Sequence, residues 1–211
     1  MAKNISELEQ RLRRALAGTH DRAPRPLSDI ELPLRIDRLL TPAILRTLRP
    51  AAVLAPVIKR GRDLTMLFTV RSEELRAHKG QISFPGGRRD EGDASFAANA
   101  LREAQEEVGI NPGDVEVIGY LDDYPTISRF LVTPVVGIVT EAPAWVPEAR
   151  EVAEVFEAPL EFVTDLANFE RKAFSRNGLN VPFYEMNFGR FRIWGATAGM
   201  LFNLATKVAA A

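Results

Sequence analysis

Residues 84–110 constrain this chain more than any other stretch. A proline-glycine-glycine turn, Phe84-Pro85-Gly86-Gly87, is followed after about one helix length by Arg102-Glu103-Ala104-Gln105-Glu106-Glu107-Val108-Gly109-Ile110. At about 100° per residue, Ala97, Leu101, Ala104 and Val108 share one stripe, and Glu103, Glu106 and Glu107 centre roughly 140° away. One face of such a helix packs on a sheet and the other gathers three carboxylates. Like charges three or four residues apart destabilise an isolated helix by roughly 0.2–0.5 kcal/mol per pair. A hard divalent cation, which prefers oxygen ligands, offsets that cost. A solvated acidic face is the plainer reading of a Glu-rich helix. Against it stand the glycine turn ahead of the helix and Gly109 at its end, a natural C-cap.

The segment resembles the Nudix box: Gly, five residues, Glu, seven residues, then Arg-Glu-apolar-x-Glu-Glu-x-Gly-apolar. Arg102 to Ile110 matches the second half at every position, with Ala104 as a small apolar residue. The first half departs from it. Gly87 to Arg102 is one residue longer than the general pattern, and Asp93 stands where the first Glu is expected.

Upstream, Leu67-Phe68-Thr69-Val70-Arg71-Ser72, then Arg76, Gly80 and Phe84-Pro85-Gly86-Gly87 resemble the signature of the coenzyme A pyrophosphatases, a branch with the longer spacing. Only Phe68, in place of Leu, differs. Tyr124 to Ser128, Val132 to Val136, Glu151 to Leu160 and Ile193 to Thr197 extend the similarity, which spans about residues 50–205. Arg129 stands where many relatives are expected to carry glycine.

The resemblance implies an α/β chain with the Nudix fold: an α/β/α sandwich around a mixed β-sheet, preceded by an N-terminal helical appendage. Two parts are expected, residues 1–48 as an N-terminal helix and proline-rich lead-in, and 49–208 as the hydrolase domain. It also implies a metal-dependent diphosphatase using Mg²⁺ or Mn²⁺, which splits coenzyme A or its derivatives into 3′,5′-ADP and 4′-phosphopantetheine. Two alternatives are a Nudix hydrolase of another nucleoside diphosphate derivative, such as ADP-ribose or a dinucleotide, and a non-catalytic nucleotide-binding module. Such modules typically lose the acidic core, which is intact here.

Phosphate chemistry gives each residue a role. Glu103 and Glu107, one turn apart, are the candidate direct metal ligands. Glu106 is a third ligand, a water-mediated contact or a general base. Arg102 orients a carboxylate, and Gly86 and Gly87 let the backbone approach metal and phosphate. Arg71 and Arg76 are candidate substrate clamps, with Lys79 nearby; salt bridges to Glu73, Glu74 or the acidic helix are the competing reading. His78 reads as a surface histidine, and Asp93 as a partner of the helix N-terminus. Trp194 reads as core and Asp122-Asp123 as a turn.

Along the rest of the chain, periodicity predicts helices over 4–17, 93–108, 159–166 and 193–208, with Arg11, Arg13 and Arg14 on the solvated side of the first. Strands are expected at 51–58, 64–71, 115–121, 131–140, 151–158 and 183–186. Prolines at 24, 26, 33, 42 and 50 make 18–50 loop and short turns. A net charge of −1 over 211 residues offers no global basic excess for nucleic acid. The chain has no cysteine, which excludes disulfides and thiolate chemistry and fits a reducing compartment. No run of 18 apolar residues predicts a membrane span, and the N-terminus has no signal-peptide core. The expectation is a cytoplasmic enzyme of small molecules. Three roles are open to the N-terminal segment: covering the site, pairing subunits into a homodimer, or capping the sheet.

Overall fold

The computed structural model describes residues 7–22, 25–27, 45–75, 78–140, 144–176 and 179–211. Its centre is β1, Arg49–Arg60, in which apolar residues occur at almost every position rather than at alternate ones. A strand with that pattern must be covered on both faces. Ala51, Ala55 and Val57 enter one core, and Ala52, Leu54 and Ile58 enter the other.

Around it lie β2 (Asp63–Arg71), β3 (Ile82–Ser83), β4 (Gly86–Arg88), β5 (Val115–Tyr120), β6 (Tyr124–Pro125), β7 (Phe130–Val139) and β8 (Val152–Pro159). The sheet runs β3-β2-β1-β7-β5, with β4 on β1, β6 on β7 and β8 on β2. The β1–β7 pair is parallel and every other pair antiparallel, so the sheet is mixed as expected.

Helix α2, Phe96–Val108, covers one face through Ala100, Ala104 and Val108. The other face is covered by α1 (Glu7–Leu16), α3 (Leu160–Thr164) and α4 (Ala196–Ala209). Leu12 and Leu16 of α1 are fully buried in that core. Arg11, Arg13 and Arg14 are therefore joints as well as solvated groups. Arg13 pairs with Glu9 and Glu116, while Arg11 and Arg14 donate to the carbonyls of Val208 and Ala211. Glu9, itself buried, also takes Lys59 at 3.0 Å. The N-terminal helix is thus part of the sandwich, capping the sheet.

Two helix starts differ from expectation by three residues each. The motif helix begins at Phe96 rather than 93, because Ser95 is its N-cap and accepts the Ala98 N–H. The last helix begins at Ala196, since Ile193 and Trp194 pair with Met186 and Glu185 as a strand, and Gly195 turns the chain at φ 66°. That strand, β11 (Phe191–Trp194), joins β9 (Glu170–Arg176) and β10 (Leu179–Phe188) in a small antiparallel sheet that the sequence reading foresaw only at 183–186. Stacked rings of Phe84, Phe68, Phe156 and Phe191 run from the glycine turn to this second sheet. No helix among the described residues is long and apolar enough to cross a membrane.

Candidate functional site

The glycine strand β4 pairs with β1, Val53 opposite Gly86, Ala52 opposite Gly87 and Ala51 opposite Arg88. Ala52 faces α2, so Gly87 faces α2 as well. There a Cβ on Gly87 would lie 2.6 Å from Glu103 Oε2 and 2.8 Å from Oε1. Only a glycine lets this carboxylate lie against the backbone. The preceding residue completes the junction: the Gly86 N–H donates to Glu107 Oε2 at 3.3 Å. At the far end of β4, Asn99 Nδ2 donates to the Arg88 carbonyl at 3.2 Å. Strand and helix are therefore tied along their whole contact.

The helix ends where the carboxylates require it. Gly109 takes the left-handed conformation, φ 76°, and its N–H reaches the carbonyls of Ala104 and Gln105. The segment that follows returns to the same place. Val146 N–H donates to Val108 O and Glu148 N–H to Glu107 O, and Glu151 then begins the approach to β8.

The electrostatics of the three motif glutamates differ. Glu107 is 4 % exposed, and burial pushes its carboxyl up to about 8, aided by the charges of Glu151 and Glu103 and opposed by Arg71 and the Gly86 N–H. Burial also raises Glu103, with Arg102 pulling it down and Glu106 and Glu151 adding to the rise. Glu106 is exposed and receives Arg102 Nη1 at 3.1 Å.

Arg102 is the hub. It binds Asp93 through Nε at 3.0 Å and Nη2 at 3.1 Å, and reaches Glu103 at 2.9 Å. Its expected role as an orienter of carboxylates has this geometry. Asp93, expected as a partner of the helix N-terminus, makes no bond to it; Ser95 caps the helix, and Asp93 accepts the Asp90 N–H and the Arg102 guanidinium.

Arg71, at the end of β2, carries a charge that acts on Glu107, and its buried Nε has no hydrogen-bond partner. No ion pair joins it to Glu73 or Glu74 among the described residues. Arg76, the other expected clamp, lies outside the described residues. His78 is exposed, at φ 60°, and its Nδ1 meets Gln81 Oε1 at 2.8 Å. Trp194 is only partly buried and lies edge-on to Phe183, so it belongs to the rim of the small sheet rather than to the core. Asp123 is more than a turn residue: it is buried, and holds Arg25 and Thr133 at 2.7 Å each.

Glu151 is the residue that the sequence reading passed over. Its carbonyl accepts the Ser72 N–H at 2.8 Å, beside the Arg71–Val152 rung, and its charge raises both Glu103 and Glu107. Only the pairing of β2 with β8 brings it there, and no local motif announces it.

Among the described residues, no three His, Cys, Asp or Glu side chains are already gathered as a metal cage. The donor set nevertheless suits a hard cation. Two carboxylates on successive turns are pushed up chiefly by burial, with the charge of Glu151 adding to both, and a glycine strand is cut back to admit Glu103.

A family model described as the NUDIX domain matches residues 48–176. A protein described as an uncharacterized Nudix hydrolase NudL, from Citrobacter koseri, is 44 % identical over 160 residues, 76 % of this chain and 83 % of the relative. A relative of the same description from Cronobacter sakazakii is 40 % identical over 185 residues, 83 % of this chain and 96 % of its own. A crystal structure of a C. elegans Ap4A hydrolase binary complex is similar at a TM-score of 0.45 and 19 % identity, covering 54 % of this chain and 82 % of that one. With its domain matched over more than half its length and its relatives matched over most of theirs, the chain belongs to the NUDIX family, whose hydrolases cleave phosphorus anhydride bonds.

Proposed function

We propose that this Nudix hydrolase is a metal-dependent diphosphatase of coenzyme A or its derivatives, releasing 3′,5′-ADP and the 4′-phosphopantetheine part. The observation that carries the reading is Arg71. It belongs to the signature that continues into Phe84-Pro85-Gly86-Gly87, its charge acts on Glu107, and its buried Nε lacks a partner. A phosphate oxygen is the partner that such a donor suits.

Nudix hydrolases generally use divalent ions, and Glu103 and Glu107 are the residues that would hold Mg²⁺ or Mn²⁺ here, with Glu106 and Glu151 within the same field. A bound divalent cation neutralises phosphate charge, polarises the phosphoryl oxygens and lowers the pKa of coordinated water. The chain's own part is positioning. Gly86 and Gly87 allow a diphosphate to lie along the backbone, Arg71 neutralises it from the β2 side, and Arg102 fixes the rotamers of Glu103 and Glu106. In-line attack at phosphorus depends mainly on such alignment and charge stabilisation.

The same proposal includes residues 49–208 as the hydrolase domain, 1–48 as an N-terminal helix and proline-rich lead-in, a small-molecule substrate and cytoplasmic residence. Oligomeric state stays open between monomer and homodimer, and sedimentation of the purified chain decides it.

The test is chromatography of the products after purified protein meets coenzyme A, dephospho-coenzyme A or ADP-ribose with Mg²⁺ or Mn²⁺. Formation of 3′,5′-ADP, abolished by a chelator, is the expected result. Cleavage of ADP-ribose with coenzyme A left intact would move the chain to another nucleoside diphosphate substrate.

A further inference from the structure

We propose that Asn99 is a positioning residue of the site: its amide fixes the outer edge of β4 to α2, and thereby sets where Glu103 and Glu107 stand against Gly86 and Gly87. The inference rests on the reading of those two carboxylates as the metal ligands, and not on the identity of the substrate.

The strand pairing shows which groups of β4 are open to the helix. Leu54 N–H donates to the Pro85 carbonyl, and Arg89 N–H donates to the Pro50 carbonyl. Val53–Gly86 and Ala51–Arg88 are therefore the non-hydrogen-bonded pairs of this antiparallel ribbon. Gly86 and Arg88 accordingly turn their own N–H and C=O groups away from β1, and α2 takes one group from each. Glu107 accepts the Gly86 N–H at 3.3 Å, and Asn99 donates to the Arg88 carbonyl at 3.2 Å. Between them Glu103 lies against Gly87. Residues 99, 103 and 107 are four apart on one helix face, so Asn99 continues the row of the two carboxylates by one turn. Arg102 Nη2 lies 3.5 Å from the same carbonyl, at the far limit of a hydrogen bond, which leaves the amide as the closer tie.

The choice of residue is a second observation. Asn99 is fully buried, and its Oδ1 has no hydrogen-bond partner. Among the buried side-chain atoms of the described residues, only Arg71 Nε shares that condition. A buried acceptor without a donor costs stability. Asparagine is also a poorer helix former than alanine, which the chain uses at 97, 98 and 100. Burial and helix propensity both favour an apolar residue at 99. What asparagine adds is the Nδ2 hydrogen bond to the strand.

The consequence is geometric. Ala100, Ala104 and Val108 hold α2 on the sheet, but apolar contact is non-directional and does not fix the alignment of helix and strand. Glu103 and Glu107 are poor anchors for that alignment, because a cation draws their oxygens to itself. The Glu107–Gly86 bond is already longer than usual. Asn99 carries no charge, is closed to solvent, and holds the alignment in their place.

The test is Mn²⁺ binding to the full chain without substrate, followed by paramagnetic resonance of the free ion, with thermal midpoints beside it. Asn99→Ala should weaken Mn²⁺ binding by about tenfold, the usual effect of losing a partner that supports a metal ligand. Its midpoint should move by a few degrees at most, because the unpartnered oxygen goes with the amide and water can serve the exposed Arg88. The Mg²⁺ needed for half-maximal turnover should rise to match. A simply structural asparagine would give the reverse, a lower midpoint with unchanged affinity in the folded protein, and that result overturns the inference. Asn99→Val, nearer in volume, decides by the same two measurements if the alanine variant does not fold. Wild-type affinity in Glu107→Gln refutes the ligand reading and this inference with it. Affinity lost in Glu107→Gln but kept in Asn99→Ala refutes the role of Asn99 alone.

Discussion

Asp93 receives Arg102 in a two-pronged ion pair, Nε to Oδ1 at 3.0 Å and Nη2 to Oδ2 at 3.1 Å. The Arg102 guanidinium holds the Asp93 carboxyl below the usual carboxylate range, against the cost of burial. The residue that departs from the general motif thus anchors the arginine that the motif requires. Arg102 is shared between Asp93 and Glu103, so the two carboxylates compete for it. Asp93→Asn should release the guanidinium towards Glu103 and raise the Mg²⁺ needed for half-maximal turnover by about tenfold, the usual effect of losing a ligand's supporting partner. A metal titration of activity checks this. An unchanged metal requirement would mean that Asp93 merely closes the loop before α2.

Glu107 gives the metal-free protein a definite pH dependence. Its folded pKa of about 8 lies above the ordinary glutamate value, so between those limits the folded state holds a proton that the unfolded chain has lost. Stability is therefore highest below the ordinary value and declines as pH rises towards about 8, by at most about 1.4 kcal/mol per pH unit. Denaturant midpoints from pH 5 to 8 should show the decline in EDTA, and Glu107→Gln should flatten it. Mg²⁺ should oppose it, since a cation replaces the proton and binds more tightly as pH rises. In the same variant turnover should fall by orders of magnitude while the fold persists, and wild-type turnover would remove Glu107 from the ligand set.

Glu151 offers a separate handle on that carboxyl. Its negative charge helps to hold Glu107 up. Glu151→Gln should lower the pH at which the EDTA-treated protein loses stability. A midpoint that does not move would show the two charges to be screened from each other by water.

The order in which these features became legible has a physical basis. The α2 stripe, the acidic face and the Gly109 cap follow from helical geometry within 15 residues, and only the start of Phe96–Val108, set by its Ser95 cap, lies three residues later than that geometry implies. β1, β2, β5, β7 and β8 were visible as apolar runs. The small sheet was not, because Glu170–Arg176 is largely polar and Ile193-Trp194 reads as a helix until its pairing with Met186 and Glu185 is known. In the same way Glu103, Glu106 and Glu107 are local, whereas Glu151 reaches them through strand pairing 80 residues from Arg71 in sequence. Like Asp123, whose partner Arg25 lies 98 residues away, it belongs to contacts that only the fold creates.

The small sheet carries its own stability prediction. Glu185 is 3 % exposed and held by Arg192 and Lys172, and the Arg192 contact above all keeps its carboxyl down at about 2 despite burial. A depressed carboxyl stabilises the fold above the ordinary glutamate value, and the stabilisation is lost as pH falls towards about 2. Glu185→Gln should cost about 1–3 kcal/mol at neutral pH, and the deficit should shrink in acid. Equal midpoints for wild type and variant at pH 7 would show that the two cations are as well served by water.

Gly87→Ala separates the site from the fold most sharply. The added Cβ would meet the Glu103 carboxylate at 2.6–2.8 Å, closer than real Cβ contacts come. What it meets is the end of a flexible side chain and not backbone, so Glu103 can swing aside at little cost to stability. Gly87 is not in the left-handed region, and alanine adds no backbone strain there. The thermal midpoint should therefore change by a few degrees at most, the shift of about 1 kcal/mol or less. Turnover should fall by at least about tenfold and the metal requirement should rise, because a carboxylate displaced by an ångström no longer meets a cation held by Glu107. Glu103→Gln should give a comparable loss, and combining it with Gly87→Ala should add little, since both remove the same oxygen from the same place. Full additivity in that double variant would place the effect of Gly87 on the substrate backbone contact instead of on Glu103.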